Sequence, residues 1–96
     1  QEDPGGSSRL SKIWLYDLTN KNYVEVAAHN AAFFISGSPG FLTTNEESSG
    51  IIEAFDLLGA GWYLLDVQAH YALPGDPEIV EGGQLLAMYV DPNLGR

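Results

Sequence analysis

Hydrophobic and polar residues alternate along several short segments of this 96-residue chain, and the alternation predicts β-strands. The first two predicted strands, 12–17 and 23–27, flank a turn that contains two asparagines, an arrangement typical of a β-hairpin. In the second strand Tyr23 and Glu25 share one face and Val24 and Val26 share the other. One face of the hairpin is therefore expected to be buried.

Three further short strands are predicted downstream, at 51–54, 62–67 and 84–90. The segment 62–67 is apolar on both faces until Asp66 and is bounded by glycine, so it fits an interior strand better than a helix. The connecting segments 29–44 and 72–83 are rich in glycine and proline and are predicted to be loops. An acidic turn is predicted at 45–50 and another turn at 55–61. The pattern indicates an all-β fold of antiparallel strands.

Composition and charge limit the possible functions. The chain is 45% hydrophobic and 11% aromatic, which is ample for a packed core. Its net charge is -9, and no Lys or Arg occurs from position 22 to 95, which argues against nucleic acid and anionic membranes as partners. No apolar run approaches the length of a membrane span, so no membrane insertion is expected. The absence of cysteine excludes disulfides and thiolate metal sites. Metal ions and basic proteins remain as possible partners.

Carboxylates without nearby cations are the first candidate site residues. Glu46 and Glu47 have the oxygen chemistry that Ca²⁺ prefers, but adjacent side chains on an extended segment point apart, so at most one is expected to enter a given site. The alternative is a solvated acidic turn. Asp66 ends an apolar strand, and a buried carboxylate there would need a metal or a hydrogen-bond donor, such as a backbone N–H of the following turn.

Other polar side chains near Asp66 have two interpretations each. His70 can bind a metal or move a proton, although a single histidine is more often a structural hydrogen-bonding group. Gln68 can orient a ligand or hold a loop in place. The remaining acids of the second half are predicted to be solubilising surface charges: Glu53, Asp56, Asp76, Glu78 and Glu81. No Gly-x-Ser-x-Gly elbow and no lysine-containing phosphate loop is present.

Four short segments resemble the C-terminal part of PhoX-type alkaline phosphatases and their phytase-like relatives. Glu47-Ser48-Ser49-Gly50 resembles that family's Glu-x-x-Gly step, and Leu65-Asp66-Val67-Gln68 its apolar-Asn-apolar-Gln strand end, with Asp66 in place of the asparagine. Segments 8–17 and 80–86 are similar to strands of the same family. The family's Ser-Pro-Asp-Gly turn is replaced here by the segment 55–61.

The resemblance implies a β-propeller that holds calcium in its central channel, with iron in the best-known members, and that cleaves phosphate monoesters outside the cytoplasm. The family's acidic ligand maps onto Glu47, with Asp66 and His70 as further candidate metal ligands. The implied location is secreted, periplasmic or at the cell surface. The cysteine, the phosphate-binding arginine and most acidic ligands of such an enzyme lie outside these residues, so this chain alone is not expected to be active.

A closed propeller needs at least four blades of four strands, more than this chain supplies. We therefore predict about one and a half blades of a larger propeller: a linker or exposed loop at 1–11, a hairpin of the penultimate blade at 12–28, a loop with the acidic turn at 29–50, and a final partial blade at 51–93. The expected partner is the remainder of the parent propeller or a complementary chain, and a phosphoester substrate is expected only in the complete protein. The alternative function is a non-enzymatic acidic β-module in an extracellular or surface assembly, with at most structural calcium. The lack of cationic phosphate-binding residues from 22 to 95 favours this alternative for the chain by itself.

Overall fold

The computed structural model describes residues 1–95 as two antiparallel β-sheets with two single-turn helices. The predicted all-β class of antiparallel strands is confirmed. The elements in chain order are β1 (Lys12–Asp17), β2 (Asn22–Ala28), α1 (Ala31–Phe34), β3 (Glu46–Glu53), α2 (Phe55–Leu58), β4 (Trp62–Ala72) and β5 (Glu81–Tyr89). Strands β1 and β2 form one sheet, and β3, β4 and β5 form the other with β4 in the centre.

The predicted hairpin is confirmed as β1 and β2, whose ends pair at Asp17 and Asn22. The connecting turn is held by Asp17, whose side chain accepts a hydrogen bond from the Thr19 N–H at 2.8 Å and whose carbonyl accepts one from the Lys21 N–H at 2.8 Å. An aspartate that bonds the backbone two residues onward is a common way to start a tight turn. Lys21 completes it in a left-handed conformation, with φ of 55°.

The three-stranded sheet has one apolar face and one face that is polar toward one end, which follows from the alternation of side chains along β4. The face called here the inner face carries Leu65 and Ala69, both buried, and it looks toward the β1–β2 hairpin and α1. The opposite or outer face carries Asp66, Gln68 and His70. The two faces therefore offer different chemistry.

The acidic segment predicted as a turn at 45–50 is instead the first half of β3. Its residues pair in register with β4, with Glu47 opposite Gln68 and Ser49 opposite Asp66. Four successive polar residues carry no period-two hydrophobic signal, so the strand is formed by pairing with β4 and not by local preference. Smaller differences are that the predicted loop 29–44 contains α1 and the predicted turn 55–61 contains α2. In addition, β4 continues five residues beyond its predicted end, and β5 begins three residues before its predicted start.

The N-terminal segment 1–11, predicted to be a linker or exposed loop, is fastened at both ends. Ser11 is fully buried; its N–H donates to Glu46 Oε1 at 2.9 Å and its hydroxyl donates to the Glu46 carbonyl at 2.6 Å. Near the other end, the Glu2 N–H donates to the Lys12 carbonyl at 3.0 Å, and the Trp14 indole N–H donates to Glu2 Oε1 at 3.1 Å. Ser11 is therefore anchored by a long-range contact that the polar composition of the segment does not signal.

The chain buries little of its surface for its size. Its accessible area is 6464 Å², whereas a compact monomer of this mass exposes about 5,400 Å². Its radius of gyration is 15.1 Å, against about 12.5 Å for a compact domain of this length. Large apolar side chains lie four-fifths exposed at Leu18, Leu57, Val80 and Leu85. The described residues therefore form an open structure with a small core.

Candidate functional site

The outer face of the three-stranded sheet gathers polar side chains from all three strands at one end. Glu47 of β3 pairs directly across from Gln68 of β4, and Glu81 is the first residue of β5. His70 lies two residues after Gln68 on the same strand. This group, called here the outer-face cluster, consists of Glu47, Gln68, His70 and Glu81.

His70 lies between Glu47 of β3 and Glu81 of β5, at a point where β4 is irregular. The pairing passes from Ala69 opposite Gly82 to Ala72 opposite Glu81, so β4 carries two extra residues there. Such bulges redirect side chains. His70 Nδ1 lies 2.8 Å from Glu81 Oε2, and His70 Nε2 lies 3.9 Å from Glu47 Oε2.

Two hydrogen bonds fix the Glu81 carboxylate. The Gln68 side-chain amide donates to Glu81 Oε2 at 3.1 Å, and His70 contacts the same oxygen. The hydrogen bonds from Gln68 and then His70 lower the pKa of Glu81. In return, the hydrogen bond with Glu81, followed by the charges of Glu81 and Glu47, raises the pKa of His70. The pair therefore stabilises the charged form of each partner.

The pKa of Glu47 is shifted upward, in the direction opposite to the pKa of Glu81. The neighbouring Asp3 carboxyl raises the pKa of Glu47, first through a hydrogen bond to its protonated form and also by like-charge repulsion, while His70 partly offsets this. Asp3 thus acts on Glu47 from the N-terminal segment. Repulsion between two carboxylates favours the binding of a proton or of a cation.

Asp66 does not share these contacts. It is exposed, and its Oδ1 accepts a hydrogen bond from the Ser49 hydroxyl at 2.8 Å on the next cross-strand pair. A burial penalty therefore does not apply to Asp66, and its donor is a side chain of the paired strand and not a backbone N–H of the following turn. The structure brings together Glu47 and His70 but leaves Asp66 bonded to Ser49.

Glu46 and Glu47 point to opposite faces of the sheet, as expected for neighbours on an extended segment. Glu46 is 1% exposed, and its Oε2 has no hydrogen-bond partner among the described residues. Its charge acts on His29, where burial lowers the pKa more than the Glu46 carboxylate raises it. Glu46 is thus the more buried of the two acids, and it faces away from the outer-face cluster.

Sequence reasoning identifies neither Glu81 nor Asp3, because Glu81 falls among the predicted solubilising charges and Asp3 lies in the predicted linker. A histidine on one strand and a carboxylate on the next are a signal for cross-strand pairing. That signal identifies Glu81 only once the register is known, because regular pairing continued from Ala69 opposite Gly82 would place His70 opposite Glu81.

The donor set of the outer-face cluster does not by itself make a metal centre. Within residues 1–95, no group of three or more carboxylate or imidazole side chains is placed to hold a metal ion. His70 is already engaged with Glu81, and imidazole nitrogen is a poor ligand for Ca²⁺, which prefers oxygen. No chemical step through a metal follows from these residues.

Comparison with known proteins yields no relative: no family model, curated protein or solved structure matches this chain. The resemblance to PhoX-type phosphatases therefore stays a prediction. No helix in the described part of the chain is long and apolar enough to span a membrane.

Proposed function

We propose that this chain is a non-enzymatic acidic β-module that is completed by pairing a further strand with the free edge of β5. The observation that carries the proposal is the exposed surface, which exceeds that of a compact monomer of this size by about 1,000 Å². One partner of a stable protein interface buries about 800 Å². The excess is thus of the size that one such interface covers.

The edge of β5 is the best candidate for this interface. Strand order places β5 at the edge of its sheet, with β4 as its only paired neighbour in the described chain. Leu85 is 79% exposed on this strand, and Tyr89 is also exposed. An open edge with unpaired backbone groups and exposed apolar side chains is a template for strand addition. Because the chain carries nine net negative charges, the added strand is expected to be basic or neutral.

The predicted propeller is consistent with this proposal. A propeller blade has four strands, and β3, β4 and β5 would supply three of them. The fourth strand would come from the remainder of a longer protein or from a complementary chain. The proposed location is secreted, periplasmic or at the cell surface.

The test is the association state of the 96-residue chain across a wide concentration range, measured by size-exclusion chromatography with light scattering and by circular dichroism. We expect the isolated chain to self-associate through its β5 edge at high salt, where the repulsion between two copies of net charge -9 is screened. Leu85→Lys places a charge on that edge and is expected to shift the chain to monomer, whereas Leu57→Lys, at an equally exposed leucine on α2, is expected to leave association unchanged. A folded wild-type monomer at all concentrations would refute the proposal.

A second candidate function is supported by the carboxyl pair of Glu47 and Asp3, whose proximity raises the pKa of Glu47. We propose that in a complete PhoX-like phosphoester hydrolase Glu47 contributes a calcium ligand, with His70 and Asp66 lining the same end of the site. A cation would relieve the repulsion between the two carboxylates. Iron is proposed only for the complete protein.

Calorimetric titration with Ca²⁺ tests this candidate. Glu47→Gln is expected to abolish binding, and Glu53→Gln, at an exposed acid of the same strand, is the matched control. Asp66→Asn decides whether Asp66 belongs to the same site. Equal calcium affinity in wild type and Glu47→Gln would remove Glu47 as a ligand.

A further inference from the structure

A cavity of about 610 Å³ lies between the β1–β2 hairpin, α1 and the inner face of the three-stranded sheet. Pockets that bind small molecules in proteins have volumes of about 300–1,000 Å³. The cavity is on the opposite side of the sheet from the outer-face cluster. It therefore offers a second and independent site.

The lining of the cavity is mainly apolar and comes from every element around it. The hairpin contributes Ile13, β4 contributes Leu65 and Val67, and β5 contributes Leu86. On one side the aromatic rings of His29 and Phe34 meet edge to face, with ring centres 5.4 Å apart. A lining of this kind favours a ligand with a large apolar surface.

One polar group in the cavity wall lacks a partner. Ser48 is 5% exposed, lines the cavity, and its Oγ makes no hydrogen bond with the described residues. A buried hydroxyl without a partner is costly, so a ligand group that bonds it would gain affinity. The Oγ atom has almost no accessible surface, so a ligand that bonds it must displace the wall slightly, and Ser48 then gives the apolar cavity a point of polar recognition.

The charge around this point is negative. Glu46 lies two residues before Ser48 on the same face of β3, is almost fully buried, and acts electrostatically on His29 in the cavity wall. Burial lowers the pKa of His29, which keeps its imidazole neutral near pH 7. Among residues 1–95, no lysine or arginine side chain lines the cavity. An anionic ligand would be repelled there.

We propose that this cavity binds a neutral, largely apolar small molecule that carries one hydrogen-bond donor, which donates to Ser48 Oγ. The apolar walls supply most of the affinity, and the Glu46 carboxylate selects against anions. The proposal is independent of strand addition at β5, because the cavity lies against the inner face of the sheet and not along the free backbone edge of β5.

Two fluorescent probes that share one scaffold test the ligand class. N-phenyl-1-naphthylamine is neutral and has one N–H donor, and 8-anilino-1-naphthalenesulfonate is the same molecule with an added sulfonate. We expect the neutral probe to bind with at least about tenfold higher affinity, since the sulfonate would enter a negative and poorly solvated cavity. Equal or tighter binding of the sulfonate would overturn the proposed selectivity.

Variants then locate the binding. Val67→Phe fills the cavity and is expected to weaken binding of the neutral probe by at least about tenfold. Val80→Phe makes the same substitution at an exposed position outside the cavity and is expected to bind as wild type does. Ser48→Ala is expected to weaken binding by about threefold to tenfold, the loss of one hydrogen bond.

Circular dichroism of each variant separates lost binding from lost folding. If Val67→Phe fails to fold, Ala28→Leu is a milder filling of the same cavity and has the same expected result. A folded cavity-filling variant that binds the neutral probe as tightly as Val80→Phe would show that the probe binds elsewhere, and would refute the site.

Discussion

The contact between Ser11 and Glu46 makes the sharpest stability prediction, because it joins the N-terminal segment to β3 inside the protein. Both residues are fully buried or nearly so. The Ser11 hydroxyl donates to the Glu46 carbonyl at 2.6 Å and approaches Glu46 Oε1 at 3.3 Å, while the Ser11 N–H donates to the same carboxylate oxygen at 2.9 Å. Ser11→Ala removes the hydroxyl and keeps the backbone contact.

The expected cost follows from what the substitution leaves behind. Losing a buried hydrogen bond costs about 1 kcal/mol, and leaving a buried acceptor without its donor adds about 1–2 kcal/mol. Ser11→Ala should therefore lower the free energy of unfolding by about 2–3 kcal/mol. For a chain of this length that corresponds to a fall in melting temperature of roughly 10–20 °C.

Urea unfolding followed by tryptophan fluorescence measures this cost, and protein concentration must be held constant because association would itself add stability. Ser36→Ala, an exposed serine in the loop after α1, is the control and should change the free energy of unfolding by less than about 0.5 kcal/mol. If Ser11→Ala is no more destabilising than Ser36→Ala, the Ser11–Glu46 contact does not hold the N-terminal segment on the sheet.

Two further predictions concern the sheet itself. The hydrogen bond with Glu81 raises the pKa of His70 above its ordinary 6.5, so its contribution to stability is complete below 6.5 and is lost as pH rises through the folded-state pKa. Urea unfolding at about pH 6 and about pH 9 should show a larger decline in wild type than in His70→Asn, and equal declines would contradict the pairing. Gly61→Ala should destabilise the chain by at least about 1 kcal/mol in the same assay, because Gly61 has a φ of 88° and an added Cβ would lie 2.7 Å from the Val90 carbonyl. If Gly61→Ala has the same free energy of unfolding as wild type, the backbone before β4 can move enough to accommodate the added methyl group.

The elements that the sequence predicts correctly are those whose side chains alternate or cluster by local chemistry. The β1–β2 hairpin follows from two short apolar-rich segments that flank an asparagine-containing turn. The interior strand β4 follows from an apolar run bounded by glycine. In both cases the pattern reflects burial against the rest of the fold. The strands can therefore be predicted from the order of apolar and polar residues in the sequence.

The site is harder to predict from the sequence, because its side chains come together only through the register in which the strands pair. The structure places Glu47 and His70 close together, and Glu81 joins them through the cross-strand contact of its carboxylate with His70. Asp66 shares a face with His70 and yet bonds Ser49, since cross-strand pairing matters more than position along one strand. Neither the bulge in β4 nor the pairing has a signature in the local sequence.

The register of β3 depends on a contact with a residue that is distant in the sequence. A slip of one residue would exchange the inward pair Glu46 and Ser48 for Glu47 and Ser49, the same residue types in the same order. Burial energy therefore does not distinguish the two registers over this half of the strand. The distinction comes from Ser11, whose N–H and hydroxyl both engage Glu46 across 35 positions of sequence. A residue in the N-terminal segment thus determines which carboxylate enters the interior beside the cavity and which joins the outer-face cluster.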